Sequence, residues 1–62
     1  MTIEEYDKIK LKTGEIARVV EIAEQGVMYV AEIFKLGAGV EIDYVKHESI
    51  SSVFKETEYP VA

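Results

Sequence analysis

The sequence predicts an all-β fold: one small sheet of five short strands, bent strongly enough to close on itself. Three observations carry that expectation. Between Thr13 and Val45, short apolar runs alternate with single polar residues. Glycines at 14, 26, 37 and 39 separate those runs. Ahead of them, Lys8-Ile9-Lys10-Leu11-Lys12 alternates strictly. Period-two alternation marks a half-buried strand, and strands this short and closely spaced suit a small barrel.

Thr2 to Glu5 fits a capping box, a hydroxyl residue followed three places later by glutamate, and predicts at most one helical turn before Tyr6. In the first strand, Ile9 and Leu11 share one face and the three lysines the other. Thr13-Gly14 turns the chain into a second strand over 15–23, with Ala17 and Val19 inward. Val19 and Val20 are adjacent, so Ile22 reaches that face only through a one-residue slip near Val20. A β-bulge makes such a slip and sharpens the bend. The next turn, 23–26, has Gly26 free to take positive φ.

The third strand, 27–34, is apolar on both sides. Val27, Tyr29, Ala31 and Ile33 lie on one face, and Met28, Val30 and Phe34 on the other, with Glu32 its one charge. A hairpin loop containing Gly37 and Gly39 leads to a fourth strand, 40–45. Its Val40, Ile42 and Tyr44 are expected to point inward, and Glu41 and Asp43 to form a wet face. Residues 46–50 predict a single 3₁₀ turn, and 51–54 a fifth strand. A tail, 55–62, holds Pro60 and no periodicity, and is expected to be extended unless Tyr59 and Val61 dock. Residues 1–62 thus read as one domain with its core at about 6–54.

Size and charge narrow the function. A 62-residue chain buries only about 60% of its extended surface. Domains of this size lean on disulfides, a metal or a partner chain. There is no cysteine and only one histidine, which leaves close packing or self-association. The apolar fraction of 48% exceeds what so small a core can hold, so apolar side chains are expected at the surface or at an interface. Seven basic residues against twelve carboxylates give a net charge of −5, unfavourable for nucleic acid and for anionic membranes. No apolar run approaches the roughly 18 residues of a membrane span, and the N-terminus lacks a basic-then-apolar signal pattern. A cytoplasmic location is the expectation.

Five short strands with a 3₁₀ turn before the last follow the order of the SH3-like barrel. Asp7-Lys8-Ile9-Lys10-Leu11, then Gly14, then Ala17-Arg18-Val19-Val20-Glu21-Ile22 resemble the motif of KOW and related translation-factor barrels. Val45-Lys46-His47-Glu48-Ser49-Ile50 resembles the turn of the same barrels. The resemblance covers about residues 6–54, with alanine where the motif usually has its second glycine, and the chain looks most like small bacterial proteins of this barrel type. It implies a fold and little more. The paired aromatics and tryptophan with which signalling SH3 domains hold polyproline are missing, and the loops lack the positive charge that KOW domains use on RNA.

The candidate residues give one leading expectation. A strand apolar on both faces is central or covered by another chain. Met28, Val30 and Phe34 are therefore the candidate contacts of a non-enzymatic protein-binding module that self-associates, as a homodimer. Cover by the N-terminal turn or the C-terminal tail is the other reading of Met28 and Val30. The alternative function is nucleic-acid binding through Lys8, Lys10 and Lys12, with Tyr6 stacking nearby. Those lysines also read as exposed partners of Glu15, Glu21 or carboxylates on the fifth strand, protecting an edge. His47, Glu48, Glu41 and Asp43 read as a solvated acidic face rather than a metal site. Tyr29, Phe34, Tyr44 and Phe54 read as packing rather than an aromatic cage. Ser49, Ser51 and Ser52 near His47 lack an orienting group and an oxyanion hole, so no enzyme, cofactor or small-molecule substrate is expected.

Overall fold

A computed structural model describes residues 2–55 of the chain. Five antiparallel strands form one sheet: β1 (Lys8–Leu11), β2 (Ile16–Glu24), β3 (Met28–Lys35), β4 (Gly39–Lys46) and β5 (Ile50–Phe54), with a 3₁₀ turn at His47–Ser49. Their order across the sheet is β4-β3-β2-β1-β5. The chain meanders through four neighbouring strands and then sends β5 back to the free side of β1. No ladder joins β4 to β5 among the described residues, so hydrogen bonding leaves the sheet open where closure was expected.

Each strand follows its alternation. Ile9 and Leu11 of β1 are buried while Lys10 is exposed. On β2, Ala17 and Val19 are fully buried. The β2–β3 register then slips between Val19 and Glu21, which inserts Val20 as the extra residue and brings Ile22 back to the inner side. The expected bulge is present. A second slip lies between Ile22 and Glu24, and each adds local twist. On β3, Tyr29, Ala31 and Ile33 are buried. The tight turns rest on Gly14 at φ 97° and Gly26 at φ 81°, a region in which a side chain costs about 1 kcal/mol or more.

The N-terminus keeps to the single turn expected there, though the turn is not helical. Residues 4–7 form a hydrogen-bonded turn: the Asp7 N–H donates to the Glu4 carbonyl at 3.2 Å. The Asp7 carboxylate accepts the Glu4 N–H at 2.8 Å. A buried carboxylate that finds a backbone donor competes effectively with a capping hydroxyl. Ile3 is then fully buried in the core. Lys55 fastens the segment from the far end of β5, donating to the Thr2 carbonyl at 2.7 Å and to Asp7 at 2.6 Å. Expectations for Pro60, Tyr59 and Val61 lie outside the described residues.

The fourth strand brings the main correction. Directly paired residues on antiparallel strands point to the same face. Tyr29 pairs with Val45, Ala31 with Asp43 and Ile33 with Glu41. Asp43 and Glu41 therefore lie on the inner side of the sheet, and Val45 is the β4 residue buried in the core. Val40, Ile42 and Tyr44 point outward and are 52%, 65% and 68% exposed. The parity is set from the 3₁₀ turn: the His47 N–H donates to the Val27 carbonyl at 2.9 Å, and the ladder runs back from there without a slip.

Candidate functional site

The outer face of the sheet is built row by row from the register. One row runs Phe54, Lys8, Arg18, Glu32, Ile42 from β5 to β4. The next runs Ser52, Lys10, Ile16, Phe34, Val40. Beyond the bulge, Glu21, Val30 and Tyr44 form a row, and Glu24, Met28 and Lys46 another. The face is thus basic over β1 and apolar over β3 and β4.

All three residues singled out from the sequence, Met28, Val30 and Phe34, lie on this outer face. Met28 and Val30 are half-buried and Phe34 is exposed. The structure adds Val40, Ile42 and Tyr44 beside them. Phe34, Val40, Ile42 and Tyr44 together expose on the order of 500 Å² of side chain, near the upper end for the largest apolar patch on a typical monomer. Charges bound it: Glu21, Glu24 and Lys46 at one end, and Lys8 and Lys10 at the far side. Within it Arg18 faces Glu32, and the Arg18 Nε is buried without a hydrogen-bond partner among the described residues.

Lys8 pairs across the ladders with Arg18 and Phe54, and Lys10 with Ile16 and Ser52. Lys12 lies in the turn after β1, its N–H donating to the Ser49 carbonyl at 2.8 Å. The aromatic residues divide between faces. Tyr29 is fully buried inside, while Phe34, Tyr44 and Phe54 are exposed on three different strands. Lys35 on β3 pairs with Glu15, and that hydrogen bond, aided by the Thr13 hydroxyl at 3.0 Å, holds the Glu15 carboxyl below its usual range.

Two further features border the core. The Tyr29 hydroxyl donates at 2.6 Å to His47 Nδ1 in the tautomer that leaves this nitrogen unprotonated, and accepts the Gly26 N–H at 2.9 Å. Gln25 Oε1 lies 3.3 Å away. A lone histidine gave no signal of this role, because its partner is eighteen residues upstream. On the open side of the sheet, a groove of about 710 Å³ runs between β4 and the β1–β2 turn, lined by Leu11, Thr13, Ile33, Tyr44, Val45 and Glu48 among others. No cluster of three or more histidine, aspartate or glutamate side chains is arranged to hold a metal among the described residues. None of the described residues forms a helix long and apolar enough to cross a membrane.

Compared with known proteins, the chain matches no family model, and no curated sequence and no solved structure matches it. The functional reading rests on the geometry above.

Proposed function

We propose that this chain is a small non-catalytic binding module of SH3-like architecture, working by protein–protein contact and self-associating through the outer face of β3 and β4. The strand order β4-β3-β2-β1-β5, with a 3₁₀ turn just before β5, supports the SH3-like reading. One observation carries the function: Val40, Ile42, Tyr44 and Phe34 form a contiguous exposed apolar face beside Met28 and Val30. A standard interface buries about 800 Å² per partner. This patch and its charged rim approach that size, with an apolar centre and a polar border as interfaces have. Light scattering across a concentration series tests the reading. The wild type should move from monomer to dimer, and Val30→Glu, at the middle of the face, should keep it monomeric. A wild type that stays monomeric at high micromolar concentration would overturn self-association.

A second reading draws on a specific observation. Lys8, Lys10 and Arg18 are neighbours on the outer face of β1 and β2, with Phe54 in the same row. Cations next to an exposed ring suit single-stranded nucleic acid. The net charge of −5 opposes it, since binding to phosphates scales with neutralised charge. Absence of a salt-sensitive shift with RNA at low ionic strength would remove this alternative.

A further inference from the structure

The ladder parity that turned Val40, Ile42 and Tyr44 outward also decides which backbone groups β4 leaves unpaired. Successive residues of an antiparallel strand direct their N–H and C=O groups to opposite sides in the plane of the sheet. The His47 N–H reaches the Val27 carbonyl, so residues 45, 43 and 41 are those that bond to β3. Val40, Ile42 and Tyr44 direct theirs to the other side, where β4 ends the sheet among the described residues. The Tyr44 N–H is held there by the carboxylate of its own neighbour, Asp43, at 2.7 Å. A backbone donor satisfied only by an adjacent exposed side chain is open to exchange for a carbonyl of another strand.

Proteins usually blunt such an edge with a bulge, a proline, a lysine, inward-pointing charges or brevity. Here the β3–β4 ladder runs through eight pairs without a slip, and β4 has no proline and a lysine only at its last residue, Lys46. The strand is regular, and its inward Glu41 and Asp43 disfavour any added strand that does not bring cations to them. Its charges select the partner. Glu41 and Asp43 face the inner side, where Lys35 is hydrogen-bonded to Glu15 and shares its charge with all three carboxylates, which leaves the two on β4 only partly compensated. A second copy fits poorly along this edge. The antiparallel registers with the longest overlap are centred on Ile42 or Asp43. The first puts Glu41 opposite Asp43 of the other copy, and the second puts Asp43 opposite itself. Like charges directly across a ladder destabilise the pairing.

We infer that the free edge of β4 docks an extended segment of another protein in which basic residues alternate with apolar ones. The segment's cations would face Glu41 and Asp43, its apolar residues would continue the outer face beside Val40, Ile42 and Tyr44, and its backbone would pair with those three residues. This is strand addition, with affinity from main-chain bonds and selectivity from alternate side chains. It uses the edge of the sheet, whereas self-association uses the face, so Val30→Glu can abolish one and leave the other intact.

The test uses the isotopically labelled full chain, titrated with a capped octapeptide alternating lysine and valine. A second peptide alternates glutamate and valine, and a third has the composition of the first in two blocks. The alternating basic peptide should bind at least about tenfold more tightly than the acidic one, since two cross-strand charge pairs change sign. It should slow amide exchange at Val40 and Ile42 about tenfold or more, a mark of backbone pairing. Ile42→Pro removes an N–H that serves only the free edge, and should abolish binding. Glu41→Gln with Asp43→Asn should erase the preference for the basic peptide while keeping the fold. Equal binding of the alternating and block peptides, or binding without added protection at Val40 and Ile42, would overturn the inference.

Discussion

Ile42 stands in the outer face of β4 with 65% of its surface exposed and Glu32 directly across the ladder. Replacing it with lysine separates what the face does for folding from what it does for association. In the isolated chain only a third of the side chain is covered, and the lysine stem lies over much the same ground. A cross-strand pair with Glu32 returns a few tenths of a kcal/mol. The monomer should therefore change by no more than about 0.5–1 kcal/mol, a melting shift below about 8 °C for a domain of this size. Association is affected differently. Fully burying an isoleucine contributes about 1.5–3 kcal/mol, and two thirds of that is withheld by each copy. A symmetric dimer uses the same patch twice, so Ile42→Lys should weaken it by roughly 2–4 kcal/mol, or about 30- to 1,000-fold in Kd. Sedimentation velocity from low micromolar to near-millimolar concentration measures the second effect, and thermal unfolding under dilute conditions the first. An unchanged dimer would place self-association elsewhere. A monomer destabilised by more than about 2 kcal/mol would show Ile42 to be a core residue, and the outward parity of β4 to be wrong.

Two other perturbations probe the supports of that face. Tyr29→Phe keeps the buried ring and deletes the hydroxyl that joins Gly26 and His47. Both former partners can reach water, so the loss should sit near the low end for a buried hydrogen bond, about 1–2 kcal/mol by chemical denaturation. A neutral result would mean that the 3₁₀ turn is held by its backbone alone. Glu15 reports on the loop beneath the face. Its carboxyl is held low by the hydrogen bond from Lys35 and then by Thr13. A depressed folded value means that the pair's contribution is complete above the unfolded carboxylate range and lost as pH falls through the folded value. Carboxyl-carbon NMR should find Glu15 titrating at lower pH than an unpaired glutamate, and Lys35→Gln should bring it back. No movement in that variant would show that the pair does not persist in solution.

Much of the fold was legible because alternation and glycine position are local signals. β1, the bulge at Val20, the inner set of β3 and the 3₁₀ turn all follow from spacing that neighbouring residues enforce. The form of the N-terminal turn was not, because it rests on the Asp7 carboxylate, which accepts the Glu4 N–H and is held by Lys55 from forty-eight residues downstream. Nor was the Tyr29–His47 bond, which joins residues eighteen positions apart. Neither event leaves a periodic trace in the sequence.

The candidate face was half legible, and the missing half is instructive. Alternation divides a strand into two sets of side chains but does not say which set faces the core. For β4 the rule that apolar residues go inside gives the wrong answer. Val45 claims the inner place opposite Tyr29, and the regular ladder carries that parity back to Val40. Residues Val40, Ile42 and Tyr44 are then left outside, where Met28, Val30 and Phe34 already stood in surplus. Two adjacent strands thus break the inside-outside pattern on the same side of the sheet, and they break it together. A single exposed isoleucine needs no explanation. A paired violation that spans a ladder, with Glu41 and Asp43 displaced to the inner side as its counterpart, is a local conflict of the kind that folded proteins keep at their functional surfaces.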